Sequence, residues 1–344
     1  MKKRLLIVTD AWSPQVNGVV RTLATTIEHI EQSGEYDLLV ITPAMFKSFN
    51  LPKWVGVEQE ISFAYGVTKQ LNEMINNFKP EYIHIAVEGP LGVAARRYCV
   101  DKQLCFTTAY HTMFPEYMHA KYKIPVWVGY AYMRWFHNPS SVVMVATDSL
   151  KSTLQTHGFI NTFKRWSRGV DTNLFHPGNR NVFTVKPDYA LYVGRVSHEK
   201  NIEAFLTADT GELRKVIVGD GPLKDTLEQK YPEAEFVGTK RGEELAAYYA
   251  NAAVFVFPSK TDTFGLVMIE ALASGTPVVA YDVPSPCDII ESDVGVLSKE
   301  EDLSNAIRTA VQTVDRARCR ALVEQRYTWD MATVQFLSNL VPVK

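Results

Sequence analysis

Two cations and two carboxylates carry the most chemistry in the second half of this 344-residue chain. Arg195 and Lys200 lie in Gly194-Arg195-Val196-Ser197-His198-Glu199-Lys200-Asn201, directly after the apolar run Tyr189–Val193. A glycine lets the backbone turn sharply out of a strand, which places both cations at the mouth of a sheet. A planar guanidinium fork beside an ammonium point charge suits a diphosphate; the alternative is two solvated charges near a helix start. The carboxylates belong to the segment from Ser259 to Leu272, which follows Ala253–Phe257 and opens a helix. Backbone amides of Phe264, Gly265 and Leu266 fall at that helix N-terminus, where donors and dipole favour a phosphate. Asp262 precedes the helix and reads either as its cap or as a ligand to a substrate. Glu270 sits about two turns in, among apolar neighbours from Leu266 to Ala273. An unpaired carboxylate is costly there, and the vicinal hydroxyls of a ribose would satisfy it.

The first half offers a histidine and two loops. Tyr110-His111-Thr112 follows the stretch Cys105–Thr108 with only Ala109 between, which puts His111 at a strand's carboxyl end. Ligands of open α/β sheets bind there, although a lone histidine is more often structural. Glu88-Gly89-Pro90-Leu91-Gly92 also ends a strand and is a candidate contact for an acceptor. The loop from Asp10 to Arg21 contains Asn17-Gly18. Gly18 permits close backbone approach to a ligand, whereas Asn17 either tolerates positive φ or caps the helix that follows.

These residues need a scaffold, and the chain supplies one in a repeating pattern of short apolar strand, turn and amphipathic helix. Strands are expected at Leu5–Thr9, Leu38–Ile41, Tyr82–Ile85, Cys105–Thr108 and Val142–Ala146, with helices such as Val19–Ile30, Leu91–Val100 and Ser149–His157. The rhythm restarts with strands at Tyr189–Val193, Lys215–Val218, Glu235–Val237, Ala253–Phe257 and Val278–Ala280. Helices are expected between them at Ile202–Leu206, Leu223–Lys230, Glu243–Asn251 and Leu266–Ala273. Buried strands alternating with helices predict α/β architecture with parallel sheets covered on both faces. Two such series, in a chain longer than one core usually sustains, predict two doubly wound Rossmann-like domains facing a cleft. The polar stretch Arg168 to Lys186, with Gly169, Pro177, Gly178 and then Pro187, marks the junction.

Composition narrows the class. A content of 46% hydrophobic and 22% charged residues is ordinary for a globular protein. The net charge of −2 points to no nucleic-acid partner. The charge is uneven, with a basic first half and an acidic second half, and the basic half suits an anionic surface. Cys99, Cys105, Cys287 and Cys319 form no CxxC pair and fit thiols of a reducing compartment. The basic Met-Lys-Lys-Arg start is followed by only four apolar residues before Thr9 and Asp10, too few for a signal peptide. No apolar run approaches the ~20 residues of a membrane-spanning helix. A cytoplasmic protein, soluble or peripheral at the cytoplasmic membrane face, is expected. Tyr117 to His137 is rich in aromatics and bases, which suits a membrane interface or two packed helices with an aromatic core.

The second half resembles the large family of retaining GT-B glycosyltransferases that includes sucrose- and glycogen-synthesising enzymes. Members carry an acidic residue, seven intervening residues and a glutamate, and Asp262 and Glu270 have that spacing. Thr261-Asp262-Thr263-Phe264-Gly265 is similar to a subgroup of glycolipid-forming mannosyl, glucosyl and sulfoquinovosyl transferases. Gly169-Val170-Asp171 through Phe175-His176-Pro177, Gly219-Asp220-Gly221-Pro222, Phe236-Val237-Gly238 and Gly275-Thr276-Pro277-Val278-Val279 extend the likeness over nearly the whole chain. Ser285-Pro286-Cys287-Asp288 departs from it, because relatives commonly show a glycine pair before a glutamate there.

The resemblance implies a hexosyl transfer from a nucleotide diphosphate sugar to a lipid or glycolipid acceptor, with GDP-mannose the first expectation and UDP-glucose or a UDP-uronic acid next. It implies that Arg195 and Lys200 hold the diphosphate, Glu270 the ribose, and Asp262 and His111 the sugar. Thr239, Lys240 and Arg241 occupy the place of a base-contacting loop, Gly18 approaches the donor phosphate, and Glu88 and Gly89 face the acceptor. It also implies an acceptor-binding domain over residues 1–170, joined by a returning C-terminal helix at 327–344, and a donor-binding domain over 171–326. No Asp-x-Asp pair occurs, so no metal or other cofactor is expected. The rival readings are a soluble-acceptor transferase, a nucleotide-sugar epimerase of the same fold, a non-catalytic binding protein, and a nicotinamide-dependent oxidoreductase. The last needs a Gly-x-Gly-x-x-Gly motif, which Gly219-Asp220-Gly221-Pro222-Leu223-Lys224 fails to complete.

Overall fold

The computed structural model describes residues 2–15, 17–50, 62–181 and 188–344. The chain divides into two compact units, Met1–Ser167 with Ala332–Lys344, and Arg168–Met331.

In the first unit, β1 (Lys3–Val8), β2 (Tyr36–Ile41), β5 (Tyr82–Ile85), β6 (Thr107–Tyr110), β7 (Val142–Val145) and β8 (Phe163–Arg165) form a parallel sheet. Its order is β2-β1-β5-β6-β7-β8, and a separate antiparallel hairpin pairs β3 (Ser48–Asn50) with β4 (Ser62–Ala64). The two sheet faces have different cores. Leu6, Val8, Ile83 and Ile85 pack with Leu91, Ala95 and Phe136 on one side. Leu5, Ile7, Val142 and Met144 pack with Leu23, Ile27, Trp166, Phe336 and Leu340 on the other. Alternate side chains of one strand thus serve opposite cores, which is why Leu5–Val8 of β1 is apolar at every position. The C-terminal helix Trp329–Asn339 reaches this unit through Phe336, and Asn339 Nδ2 donates to the Arg165 carbonyl at 2.8 Å.

The second unit repeats the plan with β9 (Tyr189–Val193), β10 (Arg214–Val218), β11 (Glu235–Gly238), β12 (Val254–Phe257), β13 (Val278–Tyr281) and β14 (Gly295–Ser298). All pairings are parallel, in the order β11-β10-β9-β12-β13-β14. Both sheets are doubly wound α/β, as the apolar periodicity predicts.

Two expectations shift. The strand placed at Cys105–Thr108 begins at Thr107 and runs to Tyr110. The Cys105 amide is occupied by the chain terminus, donating to the Val343 carbonyl at 3.1 Å. His111 therefore follows its strand immediately. The edge strands β8 and β14 went unforeseen, because Phe163-Lys164-Arg165 is half solvated and Gly295-Val296-Leu297-Ser298 is short and begins on glycine. The expected junction is anchored in the second unit: Arg320 donates to the carbonyls of Phe175 and Thr172, and Arg180 donates to that of Ala250. Val16 of the first loop, and 182–187 of the junction, lie outside the described residues.

Candidate active site

The segment after β9 is shaped by glycine. Gly219, at φ +142°, lets the β10 loop lie so close that a Cβ there would fall 1.9 Å from the Gly194 carbonyl oxygen. A Cβ on Gly221 would fall 2.4 Å from the Val196 carbonyl. Two backbone bonds lock this approach, Val196 N–H to the Asp220 carbonyl at 2.9 Å and Leu223 N–H to that of Val196 at 3.1 Å. The Gly219-Asp220-Gly221-Pro222 motif thus buttresses the Arg195 loop, and its incomplete likeness to a dinucleotide fingerprint has this packing cause. Tyr192 completes the support, its hydroxyl donating to the Arg195 carbonyl at 2.7 Å.

Strands β9 and β12 are neighbours, and their loops are tied together. Lys200 Nζ lies 2.6 Å from Asp262 Oδ1, with both side chains about one quarter exposed. Asn201, at φ +52°, donates from Nδ2 to the Pro258 carbonyl at 3.3 Å. Sequence reasoning assigned Lys200 and Asp262 separate tasks and missed that they pair. The helix Leu266–Ala273 starts on Gly265 at φ +83°, where a Cβ would crowd Met268 and Phe257. Phe264 is buried against Tyr327, and its carbonyl accepts from the Ser285 hydroxyl at 2.7 Å. The departing Ser285 segment therefore supports the Phe264 turn.

Glu270 is 2% exposed, and the Tyr249 hydroxyl donates to its Oε2 at 2.9 Å. The carboxylate expected to need an outside partner already has one, on the neighbouring helix Gly242–Asn251. Tyr249 is held in turn, because its carbonyl accepts from Thr276 and Thr276 Oγ1 accepts from Arg316. Of the expected base-contacting residues, Thr239 and Arg241 are exposed, and Lys240 pairs with Glu244 at 2.7 Å.

In the first unit, Asn17 adopts an extended φ of −152° and accepts from the amides of Val19 and Val20. Of its two readings, the helix cap holds; Gly18 is the first residue of the helix it caps. His111 is buried, with its ring 5.5 Å from that of Trp166 in a T-shaped contact. Trp166 contacts Phe336 of the C-terminal helix and His84, so His111 rests on a buried aromatic column. Glu88 is held by His137, whose Nε2 lies 3.0 Å from Oε1 and whose Nδ1 lies 2.9 Å from Thr108 Oγ1.

Asp10, at the end of β1, has a structural task that the sequence does not announce. Its carboxylate accepts from the amides of Leu91 and Gly92 at 3.0 Å each, capping the helix Pro90–Asp101. A Cβ on Gly89 would fall 2.3 Å from its Cγ, which explains the glycine of the Glu88-Gly89 loop. Burial, opposed by the two amides and aided by nearby Glu88, pushes the Asp10 carboxyl up from 3.8 to about 6. A carboxyl raised on folding leaves the native state holding the extra proton between these values. Its contribution to stability is therefore present at pH 4 and lost as the pH rises towards 6, by at most about 3 kcal/mol. Melting curves against pH should show the wild type losing ground to Asp10→Asn across this window and running parallel above it. A constant offset from pH 4 to 8 would exclude the shift.

Comparison with known proteins identifies the family. The family model of group 1 glycosyl transferases matches residues 179–327, and that of glycosyltransferase family 4 matches residues 16–174. A GDP-mannose-dependent alpha-mannosyltransferase of Mycobacterium tuberculosis is 33% identical, over 99% of this chain and 97% of that one. The chain belongs to the GT-B glycosyltransferases. An alpha-monoglucosyldiacylglycerol synthase of Streptococcus pneumoniae is 26% identical, over 94% of this transferase and 82% of that enzyme. The solved sucrose-phosphate synthase of Thermosynechococcus elongatus shares the fold, with a TM-score of 0.76 and 20% identity over 98% of each chain. The transferase is accordingly a hexosyltransferase, and its two six-stranded parallel sheets are the GT-B pair.

Proposed function

We propose that this transferase moves a hexosyl group from a nucleoside diphosphate sugar to a lipid or glycolipid acceptor, with retention and without a metal. GDP-mannose is the first donor to test, followed by UDP-glucose and a UDP-uronic acid. The observation carrying this reading is the joined pair of loops after β9 and β12. It sets Arg195, the Lys200–Asp262 pair and the helix start at Leu266 at the carboxyl ends of adjacent strands, with Glu270 farther along that helix. Arg195, Lys200 and the amides of Phe264, Gly265 and Leu266 hold the diphosphate, and Glu270 holds the ribose. Asp262 and His111 are assigned to sugar hydroxyls, and Gly18 to the donor phosphate. Thr239, Lys240 and Arg241 approach the base, and Glu88 and Gly89 border the acceptor.

In the reaction, the bond from the anomeric carbon to the phosphate oxygen breaks while the acceptor oxygen bonds from the same face. The acceptor's proton passes to the departing phosphate, whose negative charge the two cations and the helix amides stabilise. The glycolipid-forming relative and the exposed aromatic helix described below favour a lipid acceptor and peripheral work at the cytoplasmic membrane face.

The deciding experiment supplies each nucleotide sugar in turn, with and without lipid extract and EDTA. Sugar should enter the lipid fraction from one donor, and EDTA should leave most of that activity intact. Complete loss with EDTA, restored by magnesium or manganese, would overturn the metal-free account. Transfer only to soluble acceptors, or conversion of the nucleotide sugar to an epimer, would overturn the lipid acceptor.

A further inference from the structure

The helix Val126–His137 has two unlike faces. Tyr130, Met133, Phe136 and His137 are buried, whereas Trp127, Val128, Tyr132 and Trp135 are exposed, Trp127 by 71%. The exposed positions recur at helical spacing and form one stripe. Phe114 and Tyr117 of the helix Phe114–Tyr122 are exposed as well, and Phe114 lies 6.5 Å from the Tyr132 ring. Soluble monomers seldom show so continuous an aromatic surface without a use for it. The core reading of the Tyr117–His137 composition holds for one face, and the other face is an outward aromatic surface.

The surface is rigidly attached to the candidate acceptor loop. The Tyr132 hydroxyl donates to the Glu88 carbonyl at 2.5 Å, and His137 Nε2 lies 3.0 Å from the Glu88 carboxylate. Arg96 donates from Nε to the Phe136 carbonyl at 3.0 Å, and its guanidinium stacks 4.1 Å over the Trp135 ring. From Pro90 to His137 the sequence carries Arg96, Arg97, Lys102, Lys121, Lys123 and Arg134 against Asp101 and Glu116 only. Arg97 and Lys123 are exposed. Tryptophan and tyrosine favour the level of lipid headgroups, and lysine and arginine beside them attract anionic lipid. The same charge disfavours this face meeting a second copy of itself.

We propose that the stripe Trp127, Val128, Tyr132 and Trp135, with Phe114 and Tyr117, is a docking face for an anionic bilayer surface. Docked there, it holds the Glu88-Gly89 loop at headgroup depth. The proposal deepens the lipid-acceptor reading by naming the surface that delivers the loop to the lipid. No helix among the described residues is long and apolar enough to cross a membrane, and the stripe lies in the interface instead.

The test is co-sedimentation of the full chain with vesicles that contain no glycosyl acceptor, so that its outcome is independent of activity. The probes are vesicles of equal parts phosphatidylglycerol and phosphatidylcholine, and vesicles of phosphatidylcholine alone. The wild type should bind the anionic vesicles more tightly and release them as salt is raised. Trp127→Ser should lower binding ~10-fold, and Lys123→Glu should lower it roughly 10-fold on anionic vesicles only. Both variants should keep the wild-type melting temperature. Wild-type binding by both folded variants would overturn the proposal, as would absence of binding by the wild type at low salt. A wild-type dimer that Trp127→Ser dissociates would overturn it in favour of self-association. Binding to these vesicles, together with no transfer to lipid from any donor in the lipid-extract assay, would leave the docking face standing and sink the lipid-acceptor reading instead.

Discussion

Lys200→Ala and Arg195→Ala are each expected to lower turnover about 100-fold or more, the scale for losing one stabiliser of developing negative charge. Neither should unfold the protein. The Lys200–Asp262 pair is about one quarter exposed, and such pairs contribute ~1 kcal/mol or less to stability. A large kinetic loss with a small change in melting temperature would therefore separate catalysis from folding. The pairing adds a second arm to the test. If Lys200 served only to hold Asp262, the double variant Lys200→Ala/Asp262→Ala would be no slower than Asp262→Ala. If Lys200 meets the diphosphate in its own right, the double variant should be slower than either single one. Near-normal kinetics in both Arg195→Ala and Lys200→Ala would remove these side chains from the site.

The scaffold was legible because its signal is local. β5 and β9 run over the residues their apolar patterns predict, as does the helix Leu266–Ala273, since a strand buried on both faces leaves little choice of side chain. Edge strands resist such reading. β8 carries Lys164 and Arg165 because water covers one side, and its pairing with β7 is a tertiary fact. The site shows the same division. Glycines around Arg195 are conspicuous in sequence, but nothing local says that Gly219 exists to admit the Gly194 carbonyl. Residue types and spacing could point to Glu270, yet not to its partner Tyr249, which lies 21 residues away on another helix. Asp10 was legible only as a carboxylate ending a strand. Its task is to cap a helix 81 residues on, which depends on β1 and β5 lying side by side. Asn17 was ambiguous because the same side chain suits a positive φ or a cap, and only the backbone angle separates the two.

The pairing of Tyr249 with Glu270 sharpens the division of labour between the two carboxylates. Glu270 is assigned to ribose hydroxyls, an interaction present in the ground state and the transition state alike. Asp262 is assigned to the sugar, near the bonds that change. Uniform binding lost from a variant appears in KM, whereas a contact made in the transition state appears in kcat. Glu270→Gln keeps an acceptor for the Tyr249 hydroxyl but loses the charge that attracts two ribose hydroxyls. It should weaken binding of the free nucleoside diphosphate ~10-fold, the scale of one charge-assisted hydrogen bond. Tyr249→Phe should weaken it less, because the carboxylate remains and only its orientation loosens. Asp262→Asn should leave nucleoside diphosphate affinity largely unchanged while turnover falls. A modest affinity change there is tolerable, since Asp262 also neutralises Lys200. Calorimetry with the nucleoside diphosphate on the three variants reads all of this directly. Equal loss of affinity in Glu270→Gln and Asp262→Asn would refute the separation. Wild-type affinity in Glu270→Gln would leave the buried carboxylate a structural partner of Tyr249 and nothing more.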